Sequence, residues 1–165
     1  MSPSSLALAA TLALAAPTAA QVIPGMFGYL VTGQNGTAGE FCWQFDCTPR
    51  PLRVVAGETL TLRVNAPLSS FFAIGASFSG TSCLPVPGVM NALVLDPPIV
   101  TLALGVVSQS SPILACWGGY DTATLALPGW LPPGLSITSQ AVAVVPSLTG
   151  PNGPSLSAAV ETTVQ

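Results

Sequence analysis

Apolar and polar residues alternate in several short stretches of the chain, which is the pattern of a β-strand with one buried face. In residues 59–65, the apolar side chains of Leu60, Leu62 and Val64 alternate with polar ones. The same period of two recurs in residues 72–78, 123–127 and 156–164. We predict a half-buried strand at each of these four places.

Other stretches are rich in Val, Ile and Leu but lack a clean alternation; they are residues 52–55, 92–95, 99–104 and 136–145. Strands of this composition are buried on both faces or interrupted by bulges, and we predict strands of these kinds here. Residues 21–39 contain five glycines, and we predict one strand with loops for that stretch.

Turn-forming residues separate the predicted strands. Clusters of Gly, Pro, Asn and Asp lie between them and fix φ, or permit positive φ, where the chain reverses. Short strands about 8–15 residues apart, with no helical period between them, indicate an all-β fold. The expected architecture is an antiparallel β-sandwich of the immunoglobulin or fibronectin type, with a small β-barrel as the alternative.

Some of these turn and strand motifs carry a resemblance to a known family. They include Gly-Glu-Thr-Leu-Thr-Leu-Arg-Val at residues 57–64 and similar signatures at residues 71–77, 93–97, 127–141 and 153–160. They resemble a β-sandwich module common near the C-terminus of large secreted proteins of environmental bacteria. The resemblance implies a sandwich fold and export. It implies no catalytic residue, because that family has no assigned activity.

The first 20 residues have the features of a signal peptide. They contain no charge, an apolar run at residues 6–16, and small residues before Gln21, although a basic start is missing. A run of this length is too short to cross a bilayer core of about 30 Å. We expect cleavage near Ala20, no later membrane span, and a secreted or cell-envelope protein, extracellular or periplasmic. The rest, residues 21–165, is expected to form a single sandwich domain, of which residues 21–50 form the N-terminal strand and loops with one disulfide.

Four cysteines, an even number, fit an exported chain with disulfides. We favour the pairing Cys42–Cys47 with Cys83–Cys116, because a short spacing can close a small loop while the other two cysteines lie on separate strands. A zinc site would need all four thiolates, and the separation between Cys83 and Cys116 does not fit the close pairs of such sites. We therefore expect no metal.

The composition excludes much chemistry. The 165 residues are 50% hydrophobic and 5% charged, with no His and no Lys, so neither a Ser-His-Asp nor a Ser-Lys mechanism is possible. A glycosidase using only carboxylates ranks last, because the six acids are expected in solvated or turn positions. Calcium at Asp121 is a weak alternative. A net charge of −3 argues against nucleic-acid binding, and we expect no cofactor.

The aromatic residues give the one positive functional signal. Trp130, Tyr120 and Trp43 fall in segments with Gly, Pro or Cys, where flat side chains can contact sugars or proteins. Packing of Trp43 against a disulfide is the competing interpretation. We expect a structural or interaction module of the cell envelope or extracellular space without catalytic activity, whose partner is a protein or polysaccharide of the envelope or matrix. The alternative is a carbohydrate-binding module that uses these three aromatics.

Overall fold

A computed structural model of the chain describes residues 25–42, 47–80, 82–110, 118–147 and 151–165. The predicted signal segment, Trp43, Asp46 and Cys116 lie outside the described residues. Twelve strands form in the part that is described: β1 (Gly28–Gly33), β2 (Gly36–Glu40), β3 (Arg50–Val54), β4 (Thr59–Asn65), β5 (Phe71–Ser77), β6 (Leu84–Pro85), β7 (Ala92–Leu93), β8 (Val100–Val106), β9 (Gln109–Ser110), β10 (Gly119–Ala126), β11 (Ser136–Val145) and β12 (Gly153–Val164).

Ten of these strands form two stacked sheets of five strands each, and β6 and β7 pair separately. The first sheet has the order β2-β1-β4-β10-β9, and the second has the order β3-β12-β11-β5-β8. Neighbouring strands are antiparallel except β3 and β12, which run parallel. The expected β-sandwich is confirmed, and the two separate sheets differ from the closed barrel that was the alternative.

One core lies between the two sheets. It is built by the alternation predicted for β4, since Leu60, Leu62 and Val64 all point inward and are buried. Tyr29 on β1 crosses this core and donates a hydrogen bond of 2.9 Å to Ser139 on β11. Burial raises the pKa of the Tyr29 phenol well above its usual range, although the bond to Ser139 acts in the opposite direction. The two sheets are therefore tied by one buried polar contact as well as by apolar packing.

The clean alternation predicted for β12 is wrong in its central part. Residues 155–160 are buried on both faces. The reason is a segment between β5 and β8, residues 82–99, which folds across the outer face of the second sheet. We call this segment the covering loop. It contains the short β6–β7 hairpin, and its Met90 bridges to Ser155 on β12.

The predicted disulfide pairing is also wrong. Cys47, just before β3, is bonded to Cys83 in the covering loop, at a sequence separation of 36. The pairing follows from the path of the covering loop, which brings Cys83 to the start of β3. Cys42 is disulfide-bonded as well, and Cys116 lies outside the described residues. The bridge thus fastens the covering loop to the edge of the second sheet.

Among the described residues, the structure contains no helix long and apolar enough to cross a membrane.

Candidate interaction surface

The outer face of the second sheet carries exposed apolar side chains at one end. Phe71 on β5 lies opposite Val106 on β8, and Ala73 lies opposite Leu104. Val142 on β11 lies on the other side of Ala73. Phe71 is 68% exposed and Leu104 is 75% exposed. We call the surface formed by Phe71, Leu104, Val106, Val142 and Val144 the apolar face.

A shallow groove of about 570 Å³ runs along the apolar face. Its lining consists almost wholly of apolar atoms and includes no charged side chain. Binding sites for small molecules have a few convergent polar groups and enclose most of the ligand. The groove has neither property, so its shape and chemistry fit a broad partner better than a small ligand. Contiguous exposed apolar surface on a soluble chain is typical of an interaction site.

The covering loop explains why only part of this sheet face is bare. The buried side chain of Gln140 on β11 accepts a hydrogen bond of 3.0 Å from Val94 N–H in the loop. Its amide nitrogen donates to the carbonyl oxygens of Ala92, at 3.0 Å, and Ser157, at 2.8 Å. These bonds hold the loop over β11 and β12. The loop does not extend over Phe71 or Leu104, which remain open to solvent.

The outer face of the first sheet is chemically different. Thr37, Thr32, Thr61 and Thr124 lie in register across four neighbouring strands. The hydroxyls of Thr32 and Thr37 are 2.9 Å apart and hydrogen-bonded. An antiparallel sheet with one face in water usually carries polar side chains on that face and apolar side chains on the face toward the core. The threonine row fits this pattern. The apolar face of the second sheet departs from that pattern.

The structure does not bring the predicted aromatic residues together. Tyr120 lies near the start of β10, whereas Trp130 follows the end of the same strand. At about 3.3 Å per residue, the two side chains start about 20 Å apart or more. Trp130 is 79% exposed in a loop with four turn-forming neighbours, Pro128, Gly129, Pro132 and Pro133. Trp43 lies outside the described residues.

Tyr120 has a partner within the protein. The guanidinium carbon of Arg63 lies 4.2 Å from the centre of the Tyr120 ring and 6.0 Å from that of Phe41. This is cation–π geometry, and Arg63 also donates a hydrogen bond of 2.8 Å from Nε to Asn65. Tyr120 therefore contributes to a surface cluster on the first sheet and is less available to a ligand than Trp130.

Several of the described acidic residues contact other groups of the protein. Glu58 was expected to be a solvated or turn-capping acid, but it is buried and accepts a hydrogen bond from Gln34 N–H at 3.2 Å. Glu40 forms an ion pair of 2.9 Å with Arg50. Asp121, the candidate calcium ligand, accepts hydrogen bonds from the Ser108 hydroxyl and Thr122 N–H. Within the described ranges, no three potential metal-ligating side chains cluster.

Comparisons with known proteins give little further information. No protein-family model matches the chain, and no curated protein matches it. Among solved structures, an AA10 lytic polysaccharide monooxygenase from Streptomyces lividans is similar, with 15% sequence identity and a TM-score of 0.31. The match covers 75% of this chain and 61% of that chain.

That neighbour is an enzyme, which contradicts our expectation of a chain without catalytic activity, and the expectation is withdrawn. A likeness at this TM-score assigns no activity, substrate or site to the present chain.

Proposed function

We propose that the protein is an exported interaction module that docks on another protein through its apolar face, at the cell envelope or outside the cell. The observation that carries this proposal is the exposure of Phe71 and Leu104 beside a groove with almost no polar lining. Burying each of these side chains in a partner is worth about 1.5–3 kcal/mol. Docking on this surface is therefore driven mainly by removing apolar atoms from water.

The broad, shallow shape of the apolar face favours a protein as the partner. Two sheets pack well face to face at a distance of about 10 Å, with side chains from both faces interlocking. The exposed ends of Phe71 and Leu104 project beside the groove, so side chains of a partner protein can pack between them. The face offers no hydrogen-bonding side chain that would select a sugar or a nucleotide.

Export is supported by the covalent chemistry of the chain. The Cys47–Cys83 disulfide is of the kind that persists in oxidising compartments outside the cytoplasm. The apolar leader at residues 6–16 and the small residues before Gln21 agree with removal of a signal peptide during export. On the same grounds, we propose that the chain is related to the secreted sandwich modules whose turn motifs it resembles.

Replacing Leu104 by Ser should weaken docking about tenfold or more, because the loss of one buried Leu side chain accounts for at least one power of ten in affinity. The measurement is chemical cross-linking of the purified chain to envelope proteins, with each product identified by mass spectrometry and titrated for affinity. The matched control is Phe78→Ser, since Phe78 is 69% exposed but does not line the groove. Equal cross-linking by wild type and Leu104→Ser would contradict the proposal.

A second candidate function, carbohydrate binding, is favoured by one specific observation. Trp130 is the most exposed of the large hydrophobic side chains in the described part of the chain. An exposed indole in a loop rich in proline offers a rigid flat surface on which a sugar ring can stack.

If Trp130 binds sugar, Trp130→Ala should lower retention on an insoluble polysaccharide about tenfold. A panel of polysaccharides and a depletion assay measure this effect. Phe71→Ala serves as the control, because it removes an exposed aromatic ring from the opposite sheet. Retention unaffected by Trp130→Ala, or absent for wild type on every polysaccharide, would exclude Trp130 as a sugar site.

A further inference from the structure

We infer that the partner of the apolar face is a second copy of this chain, arranged by a twofold axis; the inference rests on the proposed function. In a twofold contact the same patch faces itself, so the patch must carry both projections and recesses. The apolar face has both. Phe71 and Leu104 project into solvent, and the groove of about 570 Å³ lies beside them. The projecting side chains of each copy can therefore enter the groove of the other.

The distribution of charge permits this contact. Two identical surfaces repel each other when they carry like charges that end up opposed. None of the residues that line the groove is charged, and neither β5 nor β8 contains a charged residue. By contrast, β3 at the opposite edge of the same sheet contains Arg50 and Arg53, together with Pro51, which protect that edge from pairing. The charged residues and the proline of β3 thus oppose self-association at that edge of the sheet. At the opposite edge, β5 and β8 contain no charge that would oppose it.

The covering loop leaves room for this contact. It is held over β11 and β12 by Gln140 and does not extend over Phe71 or Leu104. The loop therefore does not occupy the surface on which a second copy would bind.

The area available is sufficient for a weak but specific dimer. An aromatic side chain offers about 150–250 Å², and on that scale the exposed parts of the five side chains present about 400 Å² per copy. With a rim that includes Pro154, which lies opposite Val144, the two copies would bury about 1,000 Å² in total, which is the lower end for specific interfaces. An interface of this size is typical of weak, transient association.

The test is sedimentation velocity of the purified chain, with its disulfides intact, from low micromolar to millimolar concentration. Wild type should change from monomer to dimer over this range, and added sodium sulfate should strengthen the dimer, because it favours apolar burial. The Phe71→Ser and Leu104→Ser variants should each need about a tenfold higher protein concentration than wild type to dimerise. Phe78→Ser and Leu84→Ser are matched controls, exposed apolar residues outside the groove, and should dimerise like wild type. Unchanged circular dichroism would show that each variant remains folded.

Two further results separate this inference from the proposed function. Amide NMR shifts that change on dilution should map to β5, β8 and the end of β11. A wild-type chain that stays monomeric, or a dimer that survives both Phe71→Ser and Leu104→Ser, would overturn the inference. If the monomer still cross-links to a different protein and Leu104→Ser abolishes that product, the proposed function stands without the dimer. If the substitutions change neither dimerisation nor cross-linking, both the dimer and the proposed docking through the apolar face are contradicted.

Discussion

Replacing Gln140 by Glu should lower the free energy of unfolding by about 4 kcal/mol at pH 7. The substitution preserves the size and one acceptor oxygen, which can still bind Val94 N–H. The amide nitrogen that donates to Ala92 and Ser157 becomes an oxygen, so a buried carboxylate faces two carbonyl oxygens. Two hydrogen bonds are lost and a charge is buried against two opposed dipoles. Urea denaturation followed by fluorescence measures the loss.

The pH dependence of this variant identifies the cause. Burial among carbonyl groups raises the pKa of the introduced carboxyl in the folded state above its unfolded value of about 4.3. The folded state then binds more protons, so the stability that the variant has lost at neutral pH is partly regained as the pH falls toward 4. Recovery is incomplete because a protonated carboxyl donates only one hydrogen bond.

Two companion variants complete this experiment. Gln140→Leu also loses the hydrogen bonds, but its loss of stability should not depend on pH. Gln109→Glu, at an exposed position on β9, should change stability by less than about 0.5 kcal/mol. A Gln140→Glu variant as stable as wild type would show that the covering loop is not held by this side chain.

Removing the disulfide with the double substitution Cys47→Ala and Cys83→Ala should cost about 4 kcal/mol of stability in the loop-entropy model. The bridge closes a separation of 36 residues, so its loss releases a long loop in the unfolded chain. It also frees the covering loop from the edge of the second sheet. Urea denaturation gives the stability, and hydrogen exchange at Val94 N–H reports whether the loop opens locally.

The control for side-chain effects is the double substitution to Ser, which changes polarity but removes the same link. Both pairs should lose nearly the same stability, since Cys47 is half-buried and Cys83 is exposed. A loss below about 1 kcal/mol in both would contradict a stabilising role for the bridge.

Much of the fold could be predicted from alternation alone. The period of two located β4 and the inward residues of β5 and β10, because their faces meet core and solvent in the ordinary way. The prediction was wrong at Phe78, which follows the end of β5 and is exposed. It failed for the middle of β12, where burial of the second face depends on the covering loop. The disulfide pairing failed for the same reason. No local pattern shows that residues 82–99 cross the sheet and bring Cys83 to Cys47.

The apolar face illustrates a different limit. The apolar run at residues 99–104 indicated a strand buried on both faces, as did similar runs elsewhere. In the structure the covering loop satisfies this expectation over the middle of β11, where residues 138–141 are buried, but Leu104 on β8 remains exposed. A chain that is apolar on both sides of a strand has a composition suited to a covered surface. The sequence does not show that this cover is missing over Leu104 and Phe71. An apolar strand that is covered and one that is exposed have the same residue pattern.

The position of β12 has a consequence for how the chain acquires its structure. It bonds to β3 on one side and to β11 on the other, so it joins two parts of the second sheet that are distant in sequence. During synthesis, β3 emerges about 100 residues before β12 and has no sheet partner in the described fold until β12 follows. Contacts of such long sequence separation form slowly. The second sheet therefore cannot be completed until β12 has been made, so folding of this sheet depends on the last strand of the described fold.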